Sequence, residues 1–180
     1  MNLEVLQKDK YYHLFNRGIN RTDIFANDEN KSYFLKLFKK YLSYKCEVFA
    51  YCLMNTHFHF AVKIIDESDR VTQALSNFFN AYAKAFNKYT NRSGSLFEKH
   101  FKRLELTSED YLRNLIVYIH RNPTNHLGIE ISDFLFASYT EYLRLKSDVV
   151  NINGGLALFE NLDNFKFVHQ QNNEYKEFTD

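Results

Sequence analysis

The chain has 180 residues, enough for one domain with a real core. Hydrophobic residues make up 45% and charged residues 25%, which excludes a disordered chain. The formal net charge of +1 excludes a uniformly basic protein, so any contact with nucleic acid has to come from a local patch.

Tyr11 to Phe15 reads as a strand, followed by the turn-prone Asn16-Arg17-Gly18. Asp28 is expected to cap a helix that runs to about Tyr44. Its apolar stripe is Phe34, Leu35, Leu37, Phe38, Tyr41 and Leu42, and Lys31, Lys36, Lys39 and Lys40 form its exposed face. Glu47 to Met54 and His57 to Ile65 are β-rich runs joined by Asn55-Thr56, which predicts a hairpin. Cys46 and Cys52 are too few for a disulfide framework. Their even separation puts both on one strand face, as reduced and partly buried thiols.

Arg70 to Lys88 reads as an amphipathic helix, residues 91–95 as a loop, and Phe101 to Leu106 as a strand. Thr107 is expected to cap a helix from Ser108 to about Arg121, stopping at Asn122-Pro123. Phe134 to Leu145 is read as one more short helix. The order β-α-β-β-α-β plus a helix predicts an α+β, ferredoxin-like fold. Residues 1–160 form its single domain, and residues 161–180 are a variable tail. The first ten residues lack the apolar run of a secretory signal, and no segment approaches membrane-spanning length. The expectation is a soluble cytoplasmic protein with no membrane partner.

Charge is uneven along this chain. Residues 81–103 hold Lys84, Lys88, Arg92, Lys99, Lys102 and Arg103 against Glu98, a local +5. Residues 161–180 carry −2. Basic and aromatic residues interleave from Gly94 to Arg103, as single-strand binding needs: cations for phosphates and rings for bases. The plainer reading is a solvated loop and strand.

Two motifs bear chemistry. In Met54-Asn55-Thr56-His57-Phe58-His59-Phe60, alternation puts His57 and His59 on one face and Phe58 and Phe60 on the other. Two imidazoles on a rigid strand are half of a metal site, or two histidines on a solvated face. In Tyr118-Ile119-His120-Arg121-Asn122-Pro123, Tyr118 and Asn122 stand four apart and share a helix face. A tyrosine there is placed to attack phosphorus and a carboxamide oxygen to complete a metal shell. An ordinary tyrosine titrates near 10 and needs a polarising group to act. The structural alternative is a core aromatic and a helix-ending asparagine.

Taken together, these segments resemble the REP-associated tyrosine transposases and their relatives among the single-tyrosine HUH (IS200-like) transposases. Tyr12 to Gly18 with Ile24-Phe25 is similar to that family's opening strand and turn. Leu53 to His59 is similar to its HUH segment, Gly94 to Lys102 to its glycine, aromatic and basic segment, and Tyr118 to Pro123 to its nucleophile segment. Phe136 to Tyr139, with Tyr142, resembles a later Ser-Tyr motif. The matches keep the family's order over residues 11–160. Asn55-Thr56 stands where the family usually has Pro-Asn, and Glu98 and His100 where it more often has Gln and Arg.

The resemblance implies metal ligation by His57, His59 and Asn122, with Tyr118 as nucleophile and Mg²⁺ or Mn²⁺ as the cation. It also implies single-stranded DNA with a hairpin as substrate, a 5′-phosphotyrosine intermediate, and rejoining by a second 3′-OH. Arg17, Lys84, Lys88, Arg92, Lys99, His100, Lys102 and Arg103 are the expected DNA contacts. Two other readings stay open: a non-cleaving hairpin-binding or regulatory module on the same fold, and an unrelated Zn²⁺-dependent H-x-H hydrolase. The sequence leaves open a monomer or a homodimer exchanging catalytic helices.

Overall fold

The computed structural model describes residues 4–171 and residue 178. Strand β1 (Tyr11–Arg17) leads through a single 3₁₀ turn to helix α1 (Asp28–Leu42). Strands β2 (Cys46–Leu53) and β3 (His57–Ile64) form the expected hairpin. Helix α2 (Ser68–Tyr89) and strand β4 (Lys102–Leu106) complete the repeat, and α3 (Glu109–Leu127) follows. Three short helices close the chain: α4 (Tyr139–Leu143), α5 (Ile152–Ala157) and α6 (Leu162–Gln170).

The sheet is antiparallel in the order β2-β3-β1-β4, which is the ferredoxin-like arrangement predicted from the element order. Its two faces divide the chemistry. Leu14, Phe58 and Phe60 point toward α1 and α2, where Phe34, Phe38, Phe78 and Tyr82 pack as an aromatic core. His13, Phe15, His57 and His59 point the other way, toward α3.

Several expectations are corrected. Asn27, not Asp28, caps α1, accepting from Asn30 N–H at 3.0 Å, and Ser108, not Thr107, caps α3. Lys31 is only 6% exposed: its ammonium lies over the Phe134 and Phe136 rings and pairs with Asp28, so it is not on the open face. A β-bulge between Val48 and Ala50 shifts the register by one residue. Cys46 therefore pairs with Ile64 and Cys52 with His59, on opposite faces; both thiols are free and buried.

Most consequential, α3 does not stop at Asn122-Pro123 but runs through Pro123 to Leu127. Proline removes one helical hydrogen bond and crowds the preceding turn. The last turn is held instead by its end. Gly128, at φ 67, is a left-handed cap whose N–H reaches Thr124 O at 3.0 Å, and the Thr124 hydroxyl donates to Ile129 O at 2.7 Å.

The segment read as one helix from Phe134 to Leu145 is helical only over α4. Just before it, Ala137 bridges to Cys52, and Ser138 N–H donates to Tyr51 O at 3.0 Å, extending the sheet edge. Helix α6 lies within the residues set apart as a variable tail, with Phe165 and His169 buried against α3 and α4. Of that tail's charges, Glu174, Lys176, Glu177 and Asp180 lie outside the described residues.

Candidate active site

Neighbouring pairs on β1 and β3 assemble one histidine-rich face. Phe15 is opposite His59, and Arg17 is opposite His57. His13 stacks on Phe15 at 4.3 Å between ring centres, and its Nε2 lies 2.9 Å from His59 Nδ1. His13 and His59 are buried completely. Burial pushes His13 down to about 3. It also takes His59 well below the ordinary imidazole value, helped by His13, His57, His126 and Arg17. Both rings are therefore neutral near pH 7, and neutral imidazole is the form that offers a lone pair.

Helix α3 brings the second half. Tyr118, Asn122 and His126 recur at four-residue spacing and share one stripe. The Tyr118 ring stands edge-on to His59 at 5.7 Å and to His13 at 6.3 Å. Asn122 Oδ1 lies 3.2 Å from His57 Nε2, and Thr56 Oγ1 lies 3.0 Å from His57 Nδ1. Asn122 is buried, and its Nδ2 has no hydrogen-bond partner among the described residues. His126 reaches within 5.5 Å of the His57 ring. The four residues named for chemistry in the sequence thus sit together within a single chain.

Two more features shape access. Tyr118 is 6% exposed, and Phe178 covers it, with ring centres 5.3 Å apart. A cavity of about 260 Å³ opens beside His57, lined by Arg17, Arg21, Thr56, His57 and His126. Cations around a concave wall suit a phosphate group.

The expected DNA contacts divide by position. Lys84, Lys99 and His100 line a larger cavity between α2 and the 94–101 loop. Lys102 lies 5.4 Å over the Phe15 ring, on the histidine face. Arg103 stacks on Phe101 at 4.4 Å, and burial lowers its pKa. Arg92 hydrogen-bonds Ser95 O and so holds its own turn, while Lys88 is exposed in the last turn of α2.

Sequence reasoning missed His13 and His126. His13 carried a signal, since it alternates with Phe15 and Arg17, but its partner depends on strand register. His126 was hidden by reading Pro123 as a helix stop; with the helix continued, its spacing of four from Asn122 identifies it. Among the described residues no group of three or more His, Cys, Asp or Glu is poised around a metal; the third donor in reach of the histidines is a carboxamide. No helix among the described residues is long and apolar enough to cross a membrane.

The fold thus sets histidines on a central strand facing a tyrosine and an asparagine on a packed helix. The chain belongs to the IS200-like transposase family, whose model matches residues 7–122. That span takes in His13, His57, His59 and Tyr118 and closes on Asn122. A solved structure of a REP-associated tyrosine transposase bound to a REP hairpin is similar over 84% of this chain and 93% of its own, with a TM-score of 0.62 and 17% identity. At that identity the likeness is one of fold. No curated protein matches the chain.

Proposed function

We propose that this transposase cuts and rejoins hairpin-bearing single-stranded DNA, with Tyr118 as nucleophile and a divalent cation, Mg²⁺ or Mn²⁺, held by His57, His59 and Asn122. The observation that carries the reading is the approach of α3 to β3, which puts Asn122 Oδ1 3.2 Å from His57 Nε2 and the Tyr118 ring beside His59.

The residues fit such an ion. Neighbouring ligand atoms in an octahedral shell of about 2.1 Å bonds lie about 3 Å apart, close to the His57–Asn122 separation. The buried Nδ2 without a partner shows what Asn122 costs where it stands, and a carboxamide kept at that cost is explained by its oxygen. With the His59 Nδ1–H donated to His13 Nε2, the tautomer of His59 carries its lone pair on Nε2, the atom that would hold the cation. When bound, the cation polarises the scissile phosphate and offsets charge developing on its oxygens.

The chain's own groups do the rest. Arg17 and Arg21, in the cavity beside His57, hold the DNA backbone. The Tyr118 oxygen bonds to phosphorus as the phenol gives up its proton. The bond from phosphorus to the 3′-oxygen breaks, and that oxygen leaves as a 3′-OH. The 5′-phosphotyrosine conserves the phosphodiester energy, so attack by another 3′-OH restores tyrosine and joins strands. Phe178 has to move for the scissile phosphate to reach Tyr118.

That covering ring favours a second reading, in which the fold binds hairpins without cutting. Incubation of end-labelled hairpin-bearing strands with the protein separates the two. The first reading predicts an SDS-stable protein–DNA adduct that needs Mg²⁺ or Mn²⁺ and is absent from Tyr118→Phe. Equal hairpin binding in EDTA with every strand intact, even with added metal, supports the second.

A further inference from the structure

Lysines on or beside the sheet are matched with carboxylates. Lys10 pairs with Glu105 at 2.9 Å, Lys63 with Asp9 at 3.8 Å, and Lys45 with Asp66. Lys102, at the start of β4, departs from this pattern: among the described residues no carboxylate pairs with it. Its ammonium rests instead 5.4 Å over the Phe15 ring. A cation on a ring face at an exposed site is held weakly, and a phosphate oxygen offers it a stronger, charge-assisted bond.

Strand register sets where that ammonium stands. Phe15 pairs with Lys102 on one side and with His59 on the other, so the three form one row across β4, β1 and β3 and share the histidine face. The Phe15 ring lies 5.8 Å from the His59 ring in nearly parallel planes, and Tyr118 stands edge-on to the same imidazole at 5.7 Å. Cover over the β4 end of this face stops short of Lys102: Leu106 is 4% exposed, Leu104 is 38% exposed, and Lys102 is exposed. Arg17 and Arg21 line the cavity on the His57 flank, so Lys102 supplies a cation on the opposite flank, beyond Phe15. Its flexible four-carbon stem lets the ammonium leave the ring for a phosphate that arrives above it.

We propose that Lys102 is a further catalytic residue, whose ammonium contacts a non-bridging oxygen of the scissile phosphate from the β4 side and stays on it in the 5′-phosphotyrosine. The inference rests on the cutting reaction proposed above. As the Tyr118 oxygen adds to phosphorus, charge grows on the non-bridging oxygens. A cation held beside them stabilises the transition state more than the bound strand, so its effect falls on rate rather than affinity. Lys102 takes up and gives up no proton; the bond to Tyr118 forms and the bond to the 3′-oxygen breaks as before. A lysine that only steadied the strand elsewhere would change affinity and salt dependence instead. One that only packed on Phe15 would change neither.

The test follows single-turnover adduct formation on a hairpin-bearing strand taken from DNA beside the protein's own gene, with Mn²⁺ and DNA saturating. Wild type is run first and its cut site mapped. Lys102→Met keeps the stem on Phe15 and removes the charge. It is expected to slow the adduct by about 10²–10³-fold, the typical loss for one donor to a developing oxyanion. Its half-maximal Mn²⁺ concentration is expected to stay unchanged, and its affinity for the same strand in EDTA, read by fluorescence anisotropy, to fall far less than the rate. Lys102→Arg is expected to restore most of the rate. The strand is then made with a methylphosphonate at the mapped phosphate and its two diastereomers separated. In one of them a methyl replaces the oxygen that Lys102 contacts, and there Lys102→Met is expected to add no further loss. An undiminished rate in Lys102→Met, or the same penalty on both diastereomers and the ordinary strand, refutes the role while the cutting reaction stands. If wild type forms no adduct on the ordinary strand, both fall together.

Discussion

Asn122 Oδ1 and His57 Nε2 approach to 3.2 Å across the junction of α3 and β3, although 65 residues separate them in the chain. Thr56 Oγ1 holds the other nitrogen of the same ring, so His57 is fixed at both ends. If this pair is an edge of the metal shell, Asn122→Ala raises the metal concentration for half-maximal cleavage by at least about 10–100-fold, the typical loss for a metal-site partner. Asn122→Asp retains an oxygen donor and restores most of the affinity. Mn²⁺ titration of cleavage and of binding by calorimetry checks both, and an Asn122→Ala enzyme with unchanged metal demand contradicts the assignment.

On the proposed reading His13 acts through His59. It cannot reach the substrate, being fully buried, but its Nε2 sets the orientation and proton position of the neighbouring ring at 2.9 Å. His13→Phe keeps the stack on Phe15 and removes the hydrogen bond. Its expected signature is a shift of about 10–100-fold in the half-maximal Mn²⁺ concentration, with a small change in Tm. A fall in kcat without any change in metal dependence points to a packing role instead.

Phe178 covers Tyr118 and stacks on Tyr111 at 5.0 Å. Phe178→Ala removes that cover and is expected to raise the rate of adduct formation at subsaturating DNA while lowering Tm. A slower reaction in a folded variant means that the ring helps to align the nucleophile rather than shield it.

How far the sequence foretold this arrangement depended on the range of the determining contacts. Alternation in His57-Phe58-His59-Phe60 and the period of α1 and α2 are local, and they placed the core and the two-faced strand correctly. The starts of α1 and α3 came within a residue because Asn27 and Asp28, or Thr107 and Ser108, are equally plausible caps until the backbone is seen. The bulge at Val48–Ala50 left no local mark, so Cys46 and Cys52 were assigned to one face. Pro123 gave a strong local signal that tertiary packing and the Gly128 cap overrode, and this concealed His126. The His13–His59 contact needed the register of two strands 46 residues apart.

A buried relay behind the site gives a pH prediction. His169 Nδ1–H donates to Phe165 O at 2.7 Å, so its Nε2 accepts from His120 Nδ1–H at 2.8 Å. His120 Nε2 then accepts from the Ser138 hydroxyl at 2.8 Å, and Ser138 Oγ accepts from Tyr51 N–H at 3.0 Å. The chain of bonds works only with both rings neutral. Burial lowers His169 to about 4, with the bond to Phe165 O opposing and Arg121 adding to the shift, and burial beside His169 takes His120 well below its ordinary value. The unfolded chain takes up these protons near pH 6.5, where the folded chain does not. Stability is therefore flat in these groups above pH 6.5 and falls as pH drops from 6.5 toward 4, by up to about 1.4 kcal/mol per pH unit for each imidazole. Chemical denaturation of the metal-free protein across this window measures the slope. His169→Phe is expected to be less stable at pH 7 but to show a shallower slope; an unchanged slope contradicts the relay.

The proposed chemistry turns on one covalent bond, and peptide mapping reads it directly. The protein is incubated with a hairpin-bearing single strand and Mn²⁺, then digested with protease and nuclease, and the nucleotide-bearing peptide is sequenced by mass spectrometry. A nucleotide remnant on Tyr118, and on none of the other twelve tyrosines, is the predicted result. A remnant on another tyrosine, or cut strands with no remnant on any tyrosine, contradicts the account.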